Sequence, residues 1–343
     1  MALFPLLLIL LQCLSTTLFL VPSVESNLSV DYYNKTCPKF HEIVTRIISE
    51  RQIATPTTAA AILRLYFHDC MVRGCDASLL IASNDFNKAE RDHDINASLS
   101  GDGFDVVIRA KTSLELECPG VVSCSDILSV ATRDLITMVG GPFYEVNLGR
   151  KDGLVSLASE VEASVARANT SLPRLVTMFG SKGLTIQELV ALSGAHTIGF
   201  SHCDQFAYRI FNFSATSQTD PAYNKRYGDG LRQLCADYIK DPTMAAFNDV
   251  ITPGKFDNMY YVNLLNGLGL LESDQALLND PKTRKFVELY AANQTAFFND
   301  FANAMKKVSV TEVKTGKEGE IRHRCDTFNQ LIVTKGLNSS KGA

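Results

Sequence analysis

A mostly α fold is what this sequence predicts, and three observations carry that expectation. Apolar residues recur three and four apart through much of the chain, Pro and Gly clusters interrupt those runs, and strand-like alternation is short and rare. Phe40, Ile43, Val44, Ile47 and Ile48 share one helical face, as do Phe297, Phe301, Met305 and Val308. The stretches 57–70, 103–117, 124–138, 185–192, 197–210 and 281–291 also read as helices. Cys118-Pro119-Gly120, Gly140-Gly141-Pro142 and Thr252-Pro253-Gly254 break the pattern between them. No internal repeat or low-complexity linker divides the chain. With 343 residues, 46% hydrophobic and 20% charged, it is long enough to bury a sizeable core.

The ends stand apart. Leu3 to Val21 is almost wholly apolar and leads to Val24-Glu25-Ser26, so residues 1–26 are expected to be a signal peptide. No Lys or Arg precedes that run, and an uncleaved membrane anchor is the competing reading. Residues 27–326 then form the folded domain. Residues 327–343, polar apart from Leu331-Ile332-Val333, read as a loose extension. A formal net charge of −4 argues against nucleic acid as the main partner.

Nine cysteines are present, and Cys13 lies in the signal segment. The other eight, Cys37, Cys70, Cys75, Cys118, Cys124, Cys203, Cys235 and Cys325, suggest four disulfides in a secreted chain. Spacing alone leaves the pairing open, except that Cys70 and Cys75 close a short loop around Gly74. A zinc site is the rival, but the paired CxxC pattern it favours is missing. Sequons at Asn27, Asn34, Asn96, Asn169, Asn212, Asn293 and Asn338 are compatible with glycosylation.

Two segments concentrate chemistry. In Leu63-Arg64-Leu65-Tyr66-Phe67-His68-Asp69-Cys70, Arg64 and His68 are four apart and share a helical face. A fixed cation beside an imidazole suits acid–base work on a small polar substrate, although an ordinary surface Arg–His pair has the same spacing. Asp69, Asp76 and Ser78, with the carbonyls of Val72 and Gly74, offer hard oxygen ligands around a tight loop, or simply a solvated acidic one. In Leu189-Val190-Ala191-Leu192-Ser193-Gly194-Ala195-His196-Thr197, His196 sits among small apolar residues, where a satisfied core histidine is the plain alternative to a ligand.

The motifs RLYFHDC, GCDASLL, VSCSDIL, GGPFYEVNLGRKD and LVALSGAHTIGFSHC, followed by PGKFDNMYYVNLL and GLLESDQAL, closely resemble the secretory plant peroxidases, the class III haem peroxidases. The resemblance spans about residues 28–326 and implies an all-helical fold with haem b between distal and proximal halves. It implies that His196 binds the iron while Asp274 accepts its other N–H. His68 would move the peroxide proton, Arg64 would stabilise charge as the O–O bond breaks, and Asn96 would hold the His68 tautomer. Buried in that role, Asn96 is expected to stay unglycosylated.

The same resemblance implies two calcium ions. One would be held by Asp69, Val72, Gly74, Asp76 and Ser78, the other by Thr197, Asp249, Thr252, the Lys255 carbonyl and Asp257. It pairs Cys37–Cys118, Cys70–Cys75, Cys124–Cys325 and Cys203–Cys235. The implied activity is reduction of hydrogen peroxide coupled to one-electron oxidation of small phenolic donors. A monomer without a membrane span in its mature form is expected, secreted to the cell wall or directed to the vacuole.

Three departures from the family pattern stand out. Val165-Ala166-Arg167-Ala168 occupies the place of a Leu-Pro-x-Pro stretch, which should loosen the donor-side rim and puts Ala166 at the substrate contact. Ser100-Gly101-Asp102-Gly103 replaces a more usual Arg-Gly pair. The chain has no Trp, and Tyr144 stands where many relatives carry one, so a surface-Trp route to bulky polymers is excluded. The rival reading is a non-catalytic secreted haem- or calcium-binding glycoprotein, against which the distal acid–base pair argues, since a binder needs none.

Overall fold

The computed structural model describes residues 28–330, so the expected signal peptide, Asn27, Asn338 and the last thirteen positions of the extension lie outside it. Helices dominate. In the first half run α1 (Phe40–Ala54), α2 (Thr58–Arg73), α3 (Gly101–Glu117) and α4 (Cys124–Met138). The second half holds α5 (Val161–Ser164), α6 (Leu172–Ser181), α7 (Ile186–Ser193), α8 (Ala207–Ile210), α9 (Lys225–Leu234), α10 (Met259–Leu265), α11 (Glu272–Gln275), α12 (Pro281–Ala292) and α13 (Gln294–Val308). The only sheet among the described residues is an antiparallel pair, β1 (Phe200–His202) with β2 (Ala245–Phe247).

Helix α4 is central to the first half because nearly all of its residues are buried, the charged Asp126 and Arg133 included. Ile127, Leu128, Val130, Ala131, Leu135 and Ile136 are all fully buried, and α1, α2 and α3 pack against or around it. Its first turn is fixed by Ser123, which accepts from Asp126 N, and Asp126 is paired inside the protein with Arg150 at 2.7 Å. In the second half α7 packs on α12 and α13, and an aromatic cluster of Tyr261, Tyr290, Phe297 and Phe301 fills the space between them.

The expected helix over 197–210 is not formed. Gly199 adopts φ +88°, which ends the preceding turn, and Phe200–His202 instead pairs with Ala245–Phe247 before α8 begins. Five helices escaped the periodicity analysis, among them the four-residue α5 and α11. Helix α9 buries only Gly228 and Leu231, α10 is seven residues long, and α6 opens with a Pro in its first turn. The Ser100–Gly103 departure finds a local explanation. Ser100 Oγ accepts from Asp102 N and starts α3 at Gly101, while Asp102 pairs with Arg51 on α1.

Four disulfides are formed: Cys37–Cys118, Cys70–Cys75, Cys124–Cys325 and Cys203–Cys235. Asn329 donates to the Ile321 carbonyl at 2.8 Å and accepts from His323 N at 2.9 Å, so the described residues after Cys325 fold back onto the domain. No helix among the described residues is long and apolar enough to cross a membrane. The Cys124–Cys325 bridge closes a loop of sequence separation 201, tying the end of the domain to the start of α4. Replacing both cysteines by Ser is expected to cost about 2–5 kcal/mol. That loss would be read as a lower thermal midpoint, and an unshifted midpoint would show that non-covalent contacts hold this end unaided.

Candidate active site

Arg64 and His68 enter one cavity from α2, four residues apart on the same face. The helix stops at Gly74, whose φ of +89° and tight fit against the Glu312 backbone, 2.5 Å from where a Cβ would lie, admit no side chain. His68 is buried, and its Nδ1 lies 2.7 Å from Asn96 Oδ1. The amide orientation is settled by its other end, because Asn96 Nδ2 donates to the Glu90 carbonyl at 2.8 Å. Asn96 therefore offers oxygen to His68, Nδ1 carries the proton, and Nε2 keeps its lone pair. Both amide atoms being engaged and buried, the sequon at Asn96 is inaccessible in the folded chain.

The Arg64 guanidinium is held by the Ser98 and Ile95 carbonyls at 3.1 and 3.2 Å. Burial lowers its pKa to about 10, leaving it charged at neutral pH. Its surface is accessible, yet what it meets is the cavity rather than bulk water. Burial also pushes the His68 imidazole down to about 3, with Arg64 adding to that effect.

His196 faces the same cavity from the opposite side, on the 3-10 turn Gly194–Thr197 that follows α7. Its Nδ1 donates to Asp274 Oδ1 at 2.8 Å, and the Tyr260 hydroxyl donates to the same oxygen at 2.9 Å. Asp274 is buried on α11. The side chain of His196 is 41% accessible although protein surrounds the ring, because its free edge opens on the cavity. Burial works against protonation of His196, but the Asp274 carboxylate outweighs it and raises the pKa. Gly194 makes the turn possible. A Cβ there would stand 2.3 Å from the Tyr261 hydroxyl and 2.5 Å from the Phe297 ring.

The cavity between the two histidines measures about 510 Å³. Phe179, Leu175, Leu189, Leu192, Phe301 and Met305 line its apolar walls, and Ala166 and Arg167 stand at its rim. A flat apolar group carrying one metal ion fits this room. Its apolar walls suit such a group, and the Nε2 edges of both His68 and His196, neither with a protein partner among the described residues, open onto it.

Two oxygen clusters flank the histidines. Beside His68, Asp69 accepts from Ala77 N and Leu79 N at 2.9 and 3.1 Å, and Asp76 accepts from Ser78 N at 3.0 Å. Burial raises both carboxyl groups above their usual range, with Asp76 adding to the shift at Asp69. Glu90, fully buried with neither carboxyl oxygen partnered, is raised to about 9 by burial and then by Asp69. Ser78 Oγ is also buried without a partner. The Val72 carbonyl accepts from Lys182 Nζ at 3.1 Å, and the Gly74 carbonyl from Asp76 N at 2.8 Å. Beside His196, Thr197 Oγ1 lies 3.3 Å from Asp249 Oδ2, 3.4 Å from Asp257 Oδ1 and 3.5 Å from the Lys255 carbonyl. Thr252 Oγ1 meets the same two carboxylates at 3.2 and 3.1 Å. Hard oxygens converging on buried negative charge have the chemistry of a calcium cage.

Sequence reasoning missed several contributors: Tyr260 on Asp274, the Ser98 and Ile95 carbonyls on Arg64, and the Glu90 carbonyl on Asn96. Each acts across the fold, and no local spacing announces it.

A helical fold closed around a cavity with a histidine on either side is the architecture of a haem peroxidase. The chain belongs to the peroxidase family, whose model matches residues 42–293. It is 58% identical over 327 residues to Peroxidase 41 of Arabidopsis thaliana, covering 94% of this chain and 99% of that one. It is 59% identical over 307 residues to Peroxidase 6 (89% and 94%) and 55% over 325 residues to Peroxidase 65 (95% and 96%) of the same plant. It is thus a peroxidase of the secretory plant class that its motifs resemble.

Gly194→Ala is expected to cost roughly 1–3 kcal/mol through overpacking. A thermal midpoint equal to that of the unaltered protein would show that Tyr261 and Phe297 yield freely.

Proposed function

We propose that the chain reduces hydrogen peroxide at His68 and Arg64 and oxidises small phenolic donors at the rim near Ala166, with haem b held by His196. One observation carries this reading. Two imidazoles face one apolar cavity, each with Nδ1 committed to an acceptor, so each Nε2 is free as base or ligand. Haem iron, when bound, would supply the two electrons that reduce the peroxide and would regain them from the donors one at a time.

The protein's own groups do the rest. His68 Nε2 takes the proton from one peroxide oxygen and delivers it to the other as that oxygen leaves as water. Arg64, held by two carbonyls, keeps its charge beside the separating oxygens. Asn96 keeps the His68 proton on Nδ1 throughout. Asp274 strengthens His196 as a donor and, with Tyr260, fixes its ring orientation. A phenol at the rim gives up one electron and one proton and leaves as a radical. A non-catalytic binder would need neither the buried base nor the cation beside it.

In this reading Asp69, Val72, Gly74, Asp76 and Ser78 hold one calcium ion, and Thr197, Asp249, Thr252, Lys255 and Asp257 hold a second. What supports the pair is the buried carboxylates on one side and the converging hydroxyl and carboxylate oxygens on the other. Four disulfides suit an oxidising compartment, and we place the mature protein outside the cell, in the wall, or in the vacuole.

The visible spectrum of the purified protein before and after one equivalent of hydrogen peroxide tests the reading. A ferric haem spectrum that changes rapidly supports it, whereas a haem spectrum that stays unchanged would move the function to the binder. His68→Ala should lower the rate of the peroxide reaction by about 100-fold or more. Because His68 protonates only near pH 3, the wild-type rate should hold from neutral to roughly pH 4 and fall below it. A rate already halved near pH 6 would contradict this.

Calcium removal gives a further expectation. Glu90 takes up its proton near 9 in the folded chain against an ordinary 4.5. Between those values the folded state binds more protons than the unfolded one, so its stability falls as pH rises. The chelated protein should therefore lose thermal midpoint from about pH 5 to about pH 8, and added calcium should abolish that slope. A chelated protein that gains stability over this window would refute the assignment.

A further inference from the structure

The rim segment 165–168 is held by ion pairs and a backbone hydrogen bond. Val165 is buried, while Ala166 and Ala168 pack only small, partly buried methyl groups against the two hydrophobic cores. On one side the Ala168 carbonyl accepts from Ser273 N at 3.0 Å, one residue from Asp274. On the other, Arg167 Nε donates to Glu162 Oε1 at 3.0 Å, and its Nη2 donates to Glu162 Oε2 and, at 2.9 Å, to Asp94 Oδ2. Asp94 opens the turn Asp94–Asn96, in which the Ile95 carbonyl holds Arg64 and Asn96 holds His68. His93 completes the group, with Nδ1 2.8 Å from Asp94 and Nε2 3.8 Å from Glu162. The guanidinium bridges carboxylates that could otherwise gather a metal ion. The looseness expected from the missing prolines is thus countered by a side-chain clamp from the rim to the distal turn.

We infer that Arg167 is a specificity-determining residue of the donor mouth: by bridging Glu162 and Asp94 it fixes the aperture and so sets the size of phenol admitted. The inference rests on the donor reading of this cavity. Single exposed ion pairs are weak and screened by salt. A guanidinium shared in a fork between two carboxylates is stronger, yet still slight enough for the aperture to respond to small changes.

The test compares kcat/KM for a small neutral phenol and a bulky neutral biaryl phenol in the wild type, Arg167→Gln and Glu162→Gln, at low and high salt. Both variants remove an ion pair of the clamp while changing the local charge in opposite directions. The bulky-to-small ratio should rise in both by about two- to fivefold, mainly through a lower KM for the bulky donor. High salt should move the wild type the same way and the variants little. Amide hydrogen exchange over residues 165–170, read without peroxide or donor, should quicken in both variants. An unchanged ratio, or ratios that move in opposite directions with the sign of the charge change, would overturn the clamp. A wild type that oxidises neither phenol would instead overturn the donor reading on which it rests.

Discussion

Each cavity histidine must give up one ring nitrogen to keep the other available, and the rest of the site is organised around that constraint. An imidazole carries one mobile proton, and a fixed acceptor decides which nitrogen holds it. For His68 the acceptor is neutral, Asn96 Oδ1, and its orientation is fixed in turn by the Glu90 carbonyl. For His196 the acceptor is a carboxylate, Asp274 Oδ1, steadied by Tyr260. The difference matters physically. A neutral partner leaves His68 hard to protonate at rest, which suits the base proposed for it. An anionic partner makes His196 electron-rich, which suits the ligand proposed for it. Burial alone would push both imidazoles the same way, and the two acceptors separate them.

The flanking oxygen clusters extend the same logic. Asp69 follows His68 in sequence, and Thr197 follows His196, so each histidine is joined by one peptide bond to a buried group of hard oxygens. A cation in either cluster would hold the backbone beside the imidazole more rigidly than hydrogen bonds alone. That coupling gives a physical reason for burying carboxylates that the protein leaves poorly compensated, with both Glu90 oxygens and Ser78 Oγ partnerless.

Much of this was legible in the sequence, though unevenly. Helical periodicity gave α1, α4 and α13 because each buries a broad apolar face. It failed over 197–210, where Gly199 turns the chain and a two-stranded ladder forms with a partner more than forty residues away. Ladder partners at that distance leave no local period. The Arg64–His68 spacing was visible, but the cavity they share with His196 arises only when α2 and α7 are brought face to face. The extended motifs singled out the two histidines that the fold brings to one cavity, while the hydrogen bonds that set their tautomers connect residues 28 and 78 positions apart.

The rim shows why a missing residue type is a weak guide to rigidity. Losing two prolines increases the freedom of the unfolded backbone, and from sequence alone that is all one can see. The folded chain meets the cost with ties that no local pattern encodes: a backbone bond to Ser273 and a guanidinium spanning Glu162 and Asp94. These ties run from the proximal wall across the mouth to the turn that carries Asn96. The segment bordering the open edge is therefore tied to both histidine supports. The proposed donor mouth and the proposed peroxide site, which sequence treats as separate motifs, share one framework in the fold.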